Sequence, residues 1–587
     1  MRRWTIPLLL TLAVLVGCQD PLVPRGAVTL RSLVDSPASS VAVIDDAQPA
    51  TPAKSTPSAT ANPPRLIVVV SVDQLCQEYF QRFAGNLDPD GFYALASNSG
   101  TIYTNCHHAH AFTLTGPGHA VQLTGTYPFQ NGIIGNDWYD RKLKKNLYCV
   151  TDTSCTTIGA QVGDGPCSPK NLQVPTVGDM LKLATNKQAK VIGVSLKDRA
   201  AILMTGHLAD AAYWFEETEG TWATSSYYRP DLPPYIRAFN ESKYPDRYAE
   251  LEWNLALPIQ RYHHDAPDDY KYENPPEDLG RTFPHKLAPA GKKLYSQLRT
   301  TPYGSDMTLD VAKAVIENEN LGGDEIPDLL CVNFSSNDYV GHAFGPQSLE
   351  VEDITIRTDR LLAQFYNYVV ERVGRDNVVF ALTADHGVCP LPELMKQKGM
   401  LHTGRDPLGG EAKVKAQLEI LLRERLNLGD VKELLVPRVE SQQLFLDRDH
   451  PALAGDKFVA AQRVCRDWLL AQKGIHVAIT REDLLVGRGG GALNAPFIKT
   501  FHPERSGDVL WAYLPYYLCG GSGTTHGSPW RYDTHVPLVL LGAGIERGIH
   551  GRRTSPAMLA PTIAELFGVD APAACIEEPL LEALSGG

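Results

Sequence analysis

The chain has 587 residues, 43% of them hydrophobic and 21% charged, an ordinary globular composition that excludes wholesale disorder, a polytopic membrane protein and a fibrous repeat. Acidic residues outnumber basic ones, 67 to 55, so the formal net charge is −12 and nucleic acid is not expected as a main partner. A small anionic substrate stays open, because a local cluster of metal ions and basic side chains can outweigh the field of the whole molecule.

Residues 1–18 start Met1-Arg2-Arg3, run through an apolar stretch from Ile6 to Val16 and end Leu15-Val16-Gly17-Cys18. A basic start, an apolar run too short to span a bilayer and a small residue before a cleavage point read as an export signal. The last four residues resemble the bacterial lipobox, which would make Cys18 the lipidated first residue of a membrane-anchored lipoprotein facing the periplasm or cell surface. An ordinary signal peptide that happens to carry a cysteine is the alternative. Lipidation would remove Cys18 from the odd total of 11 cysteines, and an even set in an exported protein suggests disulfides. Gln19 to Pro64 is rich in Pro, Ala, Ser and Thr, cannot bury a core and reads as a flexible tether. The catalytic domain is expected from residue 65 to 587.

Leu66 to Val72 has the apolar, largely β-branched pattern of a strand buried on both faces of a parallel sheet, and it ends in Asp73. His107, His108 and His110 follow, and the period-two placement of the last two suits a strand face better than a metal site. In Phe112 to Gly125, Thr115 stands immediately before Gly116-Pro117 and a helix-compatible stretch. Free N–H groups at a helix start receive anions, so Thr115 is placed where a phosphate would bind; the bland reading is a hydroxyl that only caps the helix. Threonine is a poor nucleophile unless a metal or a base activates it. His119 and His535 suit packing or support of a neighbouring ligand. Residues of about 205–300, rich in Tyr, Pro and Asp and including His263-His264, read as an irregular insertion covering the site.

Asp328 to Phe334 is a second buried-strand pattern, followed by Asp338 and His342; Glu352 to Val373 is helical; Val378 to Thr383 is a third strand, followed by Asp385-His386. Strands alternating with helices predict an α/β fold with a mostly parallel sheet flanked by helices, in which ligands bind at the carboxyl ends of the strands. A single Asp after a strand usually caps a helix, but three of them, two with a neighbouring His, point to a metal site. Mixed Asp/His ligation suits zinc or another borderline divalent ion rather than calcium or magnesium. Residues of about 391–505 carry helical patterns at Ala412 to Arg425 and Lys457 to Gln472 and read as a smaller α+β cap. The glycines of Gly487 to Gly491 lack the Gly-Lys-Ser/Thr ending of a phosphate loop. Finally, His526, in Thr524 to Pro529, completes three carboxylates and three imidazoles, enough for two ions.

The motifs around Asp73, Thr115-Gly-Pro-Gly-His119, Asn136, Lys197-Asp-Arg199, Asp338-Tyr-Val-Gly-His342, Ala384-Asp385-His386-Gly387 and His526-Gly-Ser-Pro together resemble the alkaline phosphatase superfamily. The match is to its PafA-type, phosphate-irrepressible members; the nucleotide pyrophosphatase/phosphodiesterases share much of the pattern. The resemblance implies two Zn2+ ions, one on Asp338, His342 and His526 and one on Asp73, Asp385 and His386. It implies Thr115 as nucleophile through a phosphothreonine intermediate, and Asn136, Lys197 and Arg199 as donors to the phosphoryl oxygens. The expected substrate is a phosphate monoester and the product inorganic phosphate, since three such donors match the three non-bridging oxygens of a dianion. The alternatives are a phosphodiesterase or phosphonate hydrolase on the same core, and a phosphate-binding lipoprotein without turnover. No Cys-x-Pro-x-Arg sulfatase motif stands at the nucleophile position.

Overall fold

The computed structural model describes residues 63–585 apart from 162–164, 264, 277 and 437–441. The export signal, Cys18 and nearly all of the tether lie outside the described residues.

The first strand, β1 (Leu66–Val72), is buried at every residue and forms the centre of the molecule. It pairs in parallel with β7 (Asp328–Phe334) on one side and β8 (Val378–Thr383) on the other. Beyond β7 the parallel pairing continues to β4 (Val191–Ser195) and β5 (Ala211–Glu216). Such a run of fully buried Val, Ile and Leu is what a sheet covered on both faces requires. The margins depart from parallel geometry. On one side β6 (Thr221–Ser225) adds antiparallel to β5, and β3 (Thr157–Ile158) antiparallel to β6. On the other, β12 (His535–Gly542) adds antiparallel to β8, β2 (Thr101–His107) antiparallel to β12, and β13 (Gly548–His550) closes that edge parallel to β2. The result is a mixed ten-stranded sheet whose parallel pairing is concentrated at the centre.

Helices cover the sheet. Four position the site: α1 (Thr115–Thr124), α2 (Asp198–Thr205), α3 (Ser336–Phe344) and α4 (Leu349–Val373). Helix α1 is buried at all of its residues and approaches the end of β8 closely through Gly118, where an added Cβ would lie 2.2 Å from the Asp385 carbonyl oxygen. The segment expected as an irregular insertion at about 205–300 opens instead with β5 and β6 of the central sheet, because Ala211 to Glu216 and Thr221 to Ser225 bury their side chains against it. His108 and His110 lie past the end of β2, not on its face. Residues 391–518 include α5 (Glu411–Leu426) and α6 (Asp456–Leu470), at the two stretches read as helical. They accompany a three-stranded sheet of β9 (Gln443–Leu444), β10 (Ile475–Thr480) and β11 (Val509–Tyr513), in the order β9-β11-β10. Leu418, Leu422, Cys465, Leu469 and Trp511 give this layer a hydrophobic core of its own.

Among the described residues no disulfide bond forms, which corrects the expectation drawn from the even cysteine count. Most of these thiols sit inside separate parts of the core: Cys331 is in β7 and Cys465 in α6, each packed as a small apolar side chain.

Because Gly118 has no room for a methyl group, Gly118→Ala is expected to lower stability by about 1–3 kcal/mol through displacement of α1 from β8. An unchanged denaturant midpoint would show that the two elements are not packed as described.

Candidate metal and phosphate site

The carboxyl ends of β1, β7 and β8 lie side by side, and the residues that follow them meet in one buried cluster. Asp73 follows β1 directly, Asp385-His386 follows β8, and Asp338 and His342 occupy one face of α3, four residues apart. His526 arrives from the loop before β12. Asp73, Asp385 and His386 are fully buried, and Asp338 is 3% exposed.

Each imidazole is oriented through its Nδ1. That of His342 lies 2.7 Å from the Thr524 carbonyl, that of His386 3.0 Å from the Gly387 carbonyl and that of His526 2.7 Å from the Thr113 carbonyl. A carbonyl only accepts, so each Nδ1–H donates and each Nε2 is left to face the carboxylates. His342 Nε2 lies 3.1 Å and His526 Nε2 3.7 Å from Asp338 Oδ1. His386 Nε2 lies 3.1 Å from Asp385 Oδ2 and 3.5 Å from Asp73 Oδ1. Asp73 Oδ1 and Asp385 Oδ2 are buried with no hydrogen-bond partner. Orphaned carboxylate oxygens facing imidazole Nε2 atoms fit divalent cations of the borderline class. The six residues named from the sequence thus converge. Asp338, His342 and His526 form one compact group, Asp73 and His386 approach Asp338 in a second, and Asp73 and Asp385 gather with His119 in a third, so the groups adjoin.

The charges in this cluster are tightly coupled. Burial and then the Asp385 carboxylate push Asp73 well above the usual carboxylate range. Burial opposes ionisation of Asp338 too, but His342 and then Lys197 hold it well below that range. Asp385, equally buried, is lowered by His386 and His119. Burial disfavours the charge on His386, yet Asp385 and Asp73 raise it to about 9. Lys197 Nζ donates to Asp73 Oδ2 at 2.8 Å and to Asp338 Oδ2 at 2.5 Å. These two carboxylates raise the lysine's pKa against the effect of burial.

Thr115 is the first residue of α1, and the capping position belongs to Leu114, so the hydroxyl is not a helix cap. Its Oγ1 lies 3.4 Å from His386 Nε2 at the edge of the cluster. Asn136 Oδ1 accepts from the Gly116 N–H at 2.8 Å, which leaves both hydrogens of its amide nitrogen available. Lys197 precedes α2, and Arg199 stands in its first turn; the Arg199 Nη1 donates to the Tyr148 hydroxyl at 3.2 Å, and that hydroxyl donates to Asp198 at 2.5 Å.

Several supporting residues escaped the sequence. Gln74 donates its side-chain amide to Asp338 at 2.6 Å and its backbone N–H to Asp385 at 3.1 Å, bridging the two metal-type groups. Its position directly after Asp73 is the one signal that could have suggested it. His119 Nδ1 lies 2.9 Å from the Thr115 carbonyl and 3.3 Å from Asp385, and its Nε2 meets the Asn333 side-chain amide at 3.0 Å. It therefore stands within the metal-type cluster, close enough to Asp73 and Asp385 for the three to hold an ion, which goes beyond the supporting part read for it. Tyr339 lies under Lys197 Nζ, 4.9 Å from the ring centre. His535 stacks on His107 and meets the Thr104 carbonyl, away from the cluster. His263 is paired with Glu352.

Residues 67–437 match the family described as type I phosphodiesterase / nucleotide pyrophosphatase. The chain is 34% identical over 529 residues to alkaline phosphatase PhoV of Synechococcus elongatus, covering 89% of this chain and 93% of the relative. It is 34% identical over 535 residues to alkaline phosphatase PafA of Elizabethkingia meningoseptica, covering 89% and 94%. The crystal structure of wild-type PafA superposes with a TM-score of 0.82 at 32% identity over 90% of this chain and all of that one. A second PafA structure carries replacements at a threonine, an asparagine, a lysine and an arginine, in the chain order of Thr115, Asn136, Lys197 and Arg199 and with the same intervals from threonine to asparagine and from lysine to arginine. Murine ectonucleotide pyrophosphatase/phosphodiesterase 5, at 12% identity and a TM-score of 0.50, shares the fold.

Buried ligands that repel one another are stabilised by the ion they bind, so dialysis against a chelator is expected to lower the melting temperature and added Zn2+ to restore it. A melting temperature indifferent to both treatments would exclude a metal from this cluster.

Proposed function

The chain belongs to the alkaline phosphatase superfamily, within the type I phosphodiesterase / nucleotide pyrophosphatase family, and on that footing we propose that it is a PafA-type alkaline phosphatase hydrolysing phosphate monoesters through a phosphothreonine on Thr115. The observation that carries the reading is the Lys197 ammonium inside the carboxylate cluster, with Arg199, Asn136 and Thr115 on adjoining elements. A monoester dianion presents three non-bridging oxygens to such donors, whereas a diester would set an organic group among them.

Asp338, His342 and His526 would hold one zinc ion, and Asp73, Asp385 and His386 the other. When bound, the two ions supply Lewis-acid charge for the attacking and leaving oxygens of an in-line displacement. Thr115 Oγ1, at the positive end of α1, gives up its proton to solvent and forms the bond to phosphorus as the bond to the leaving oxygen breaks, and the leaving oxygen takes a proton from solvent to depart as the alcohol. The Asn136 amide donates to one non-bridging oxygen, while Lys197 and Arg199 hold the others. Water then cleaves the phosphothreonine, releasing inorganic phosphate and restoring the hydroxyl. Tyr148 and Asp198 keep the Arg199 guanidinium in place.

The signal at residues 1–18 supports an exported protein anchored to a membrane through lipid at Cys18. The second enzymatic reading, a phosphodiesterase, is favoured by the family description alone. A binding lipoprotein without turnover is disfavoured because it has no need of a nucleophile beside six metal-type ligands.

Thr115→Ala is expected to lower kcat/KM for p-nitrophenyl phosphate by roughly three orders of magnitude while leaving the circular dichroism spectrum and Tm close to those of the parent protein. Retention of most activity would place the nucleophile elsewhere. Monoester hydrolysis should exceed that of bis(p-nitrophenyl) phosphate, and Arg199→Ala should lower the first more than the second; a faster diester rate in the parent protein would favour the phosphodiesterase reading.

A further inference from the structure

Asn136 and Tyr148 stand at the two ends of one β-hairpin, whose strands Asp137–Asp140 and Lys145–Tyr148 pair antiparallel with Asp137 opposite Tyr148. The Cys149 N–H closes its base by donating to the Asn136 carbonyl at 2.8 Å. That base carries two parts of the site: the Asn136 amide, and the Tyr148 hydroxyl that receives a hydrogen bond from the Arg199 guanidinium. Among the described residues no third strand joins the hairpin. A two-stranded ribbon by itself is at best marginally stable in water, so its direction has to be fixed from outside.

The α+β layer grips it at the far end. Arg141, in the turn between the two strands, donates to the Leu446 carbonyl at 3.2 Å, to the Ser506 carbonyl at 3.2 Å and to Asp508 Oδ2 at 2.9 Å. Its guanidinium also lies 5.0 Å from the centre of the Phe445 ring. Asp508, the residue before β11, is fully buried, and its Oδ1 accepts two hydrogen bonds from Arg448, at 2.9 and 2.7 Å. A buried carboxylate needs a positive partner. Arg448, from the same layer, already matches its charge, so the second guanidinium is not demanded by charge balance within the layer. It is the one that joins the layer to the hairpin. Nearer the base, Arg505 adds a second hold, 5.0 Å from the centre of the Trp138 ring.

We infer that Arg141 is a positioning residue for phosphoryl recognition: fastened to Asp508, it holds the hairpin so that Asn136 and, through Tyr148, Arg199 meet the same phosphoryl group. The inference rests on the monoesterase reading. Four residues of strand, about 13 Å, separate Arg141 from those two ends, so it acts through them and not on substrate. The α+β layer thereby influences chemistry at phosphorus without supplying a donor to it. A diester, with an organic group in place of one non-bridging oxygen, draws less on these donors and depends less on the clamp.

The test uses the full metal-loaded protein, with p-nitrophenyl phosphate and bis(p-nitrophenyl) phosphate as substrates and inorganic phosphate as ligand. Arg141→Ala is expected to lower kcat/KM for the monoester about tenfold and for the diester no more than about twofold, and to weaken phosphate binding about tenfold. When Asn136→Ala and Arg199→Ala are already present, adding Arg141→Ala should change none of the three by more than about twofold. Arg448→Ala takes an ion pair from Asp508 without releasing the hairpin and should leave the monoester-to-diester ratio as it was. Arg141→Lys keeps the charge beside Asp508, and with it the fold if Arg141→Ala does not fold, but an ammonium cannot reproduce the planar fork; it should lower the ratio about threefold. Equal losses on both esters in the Arg141 variants, an undiminished loss in the Asn136→Ala/Arg199→Ala background, or a ratio that falls as far with Arg448→Ala would overturn the inference and leave the monoesterase reading standing. If the parent protein hydrolyses neither ester, the monoesterase reading falls and phosphate binding alone judges the clamp. Weakening by Arg141→Ala only while Asn136 and Arg199 are present supports it, and any other result overturns it.

Discussion

Three carboxylates are buried together beyond the ends of adjacent strands, and the site is built around them. Asp73, Asp338 and Asp385 are removed from water, and Asp385 and Asp338 lie close enough to oppose the ionisation of Asp73. Burying like charges side by side is among the most costly arrangements a fold can contain, and it persists only where positive charge is supplied in the same place. Lys197, the Nε2 faces of His342, His386 and His526, and any cation these donors bind are that supply. Much of the surrounding structure serves to hold the arrangement: Gln74 ties Asp338 to Asp385, and His119 braces Asp385 against α1 and Asn333.

The same demand explains why the central strands are so uniformly apolar. A cluster of this cost needs rigid supports, and β1, β7 and β8 provide them by being buried along their whole lengths and paired in parallel, so that their carboxyl ends emerge at one level. Gly118 lets α1 come against the end of β8, which brings Thr115 to the edge of the cluster; a larger residue would push the hydroxyl away. The acidic net charge of the whole chain is a poor guide to this centre, because the local balance is set by a few buried groups within a few ångströms of one another.

The groups proposed to act on phosphorus and the α+β layer belong to separate hydrophobic cores. The donors expected to meet phosphoryl oxygens are on the core, at the starts of α1 and α2 and in the loop carrying Asn136. Trp511, Tyr513 and Leu408 belong to a layer with its own hydrophobic core, so its side chains can vary without disturbing the carboxylate cluster. Arg199 occupies an intermediate position, its guanidinium held by Tyr148 from a hairpin rather than by the cluster itself.

The order of the motifs along the chain already determined the α/β class and pointed to the six residues that meet beyond the strand ends, because the strands are local patterns: apolar runs, two of them followed by Asp or Asp-His. Periodicity likewise located the helices at Glu411–Leu426 and Asp456–Leu470. Tertiary structure alone decided what depends on distant segments meeting. The antiparallel margin at β2, β8 and β12 comes from pairings between strands far apart in sequence, and β5 and β6 join the sheet although their surroundings read as irregular. The even cysteine count suggested bridges, whereas the described thiols are dispersed through the packed core, since spacing along a chain says nothing about proximity in space. Gln74 and Tyr148 escaped for the same reason: a side chain's role there is fixed by partners from about fifty to three hundred residues away, which no local pattern records.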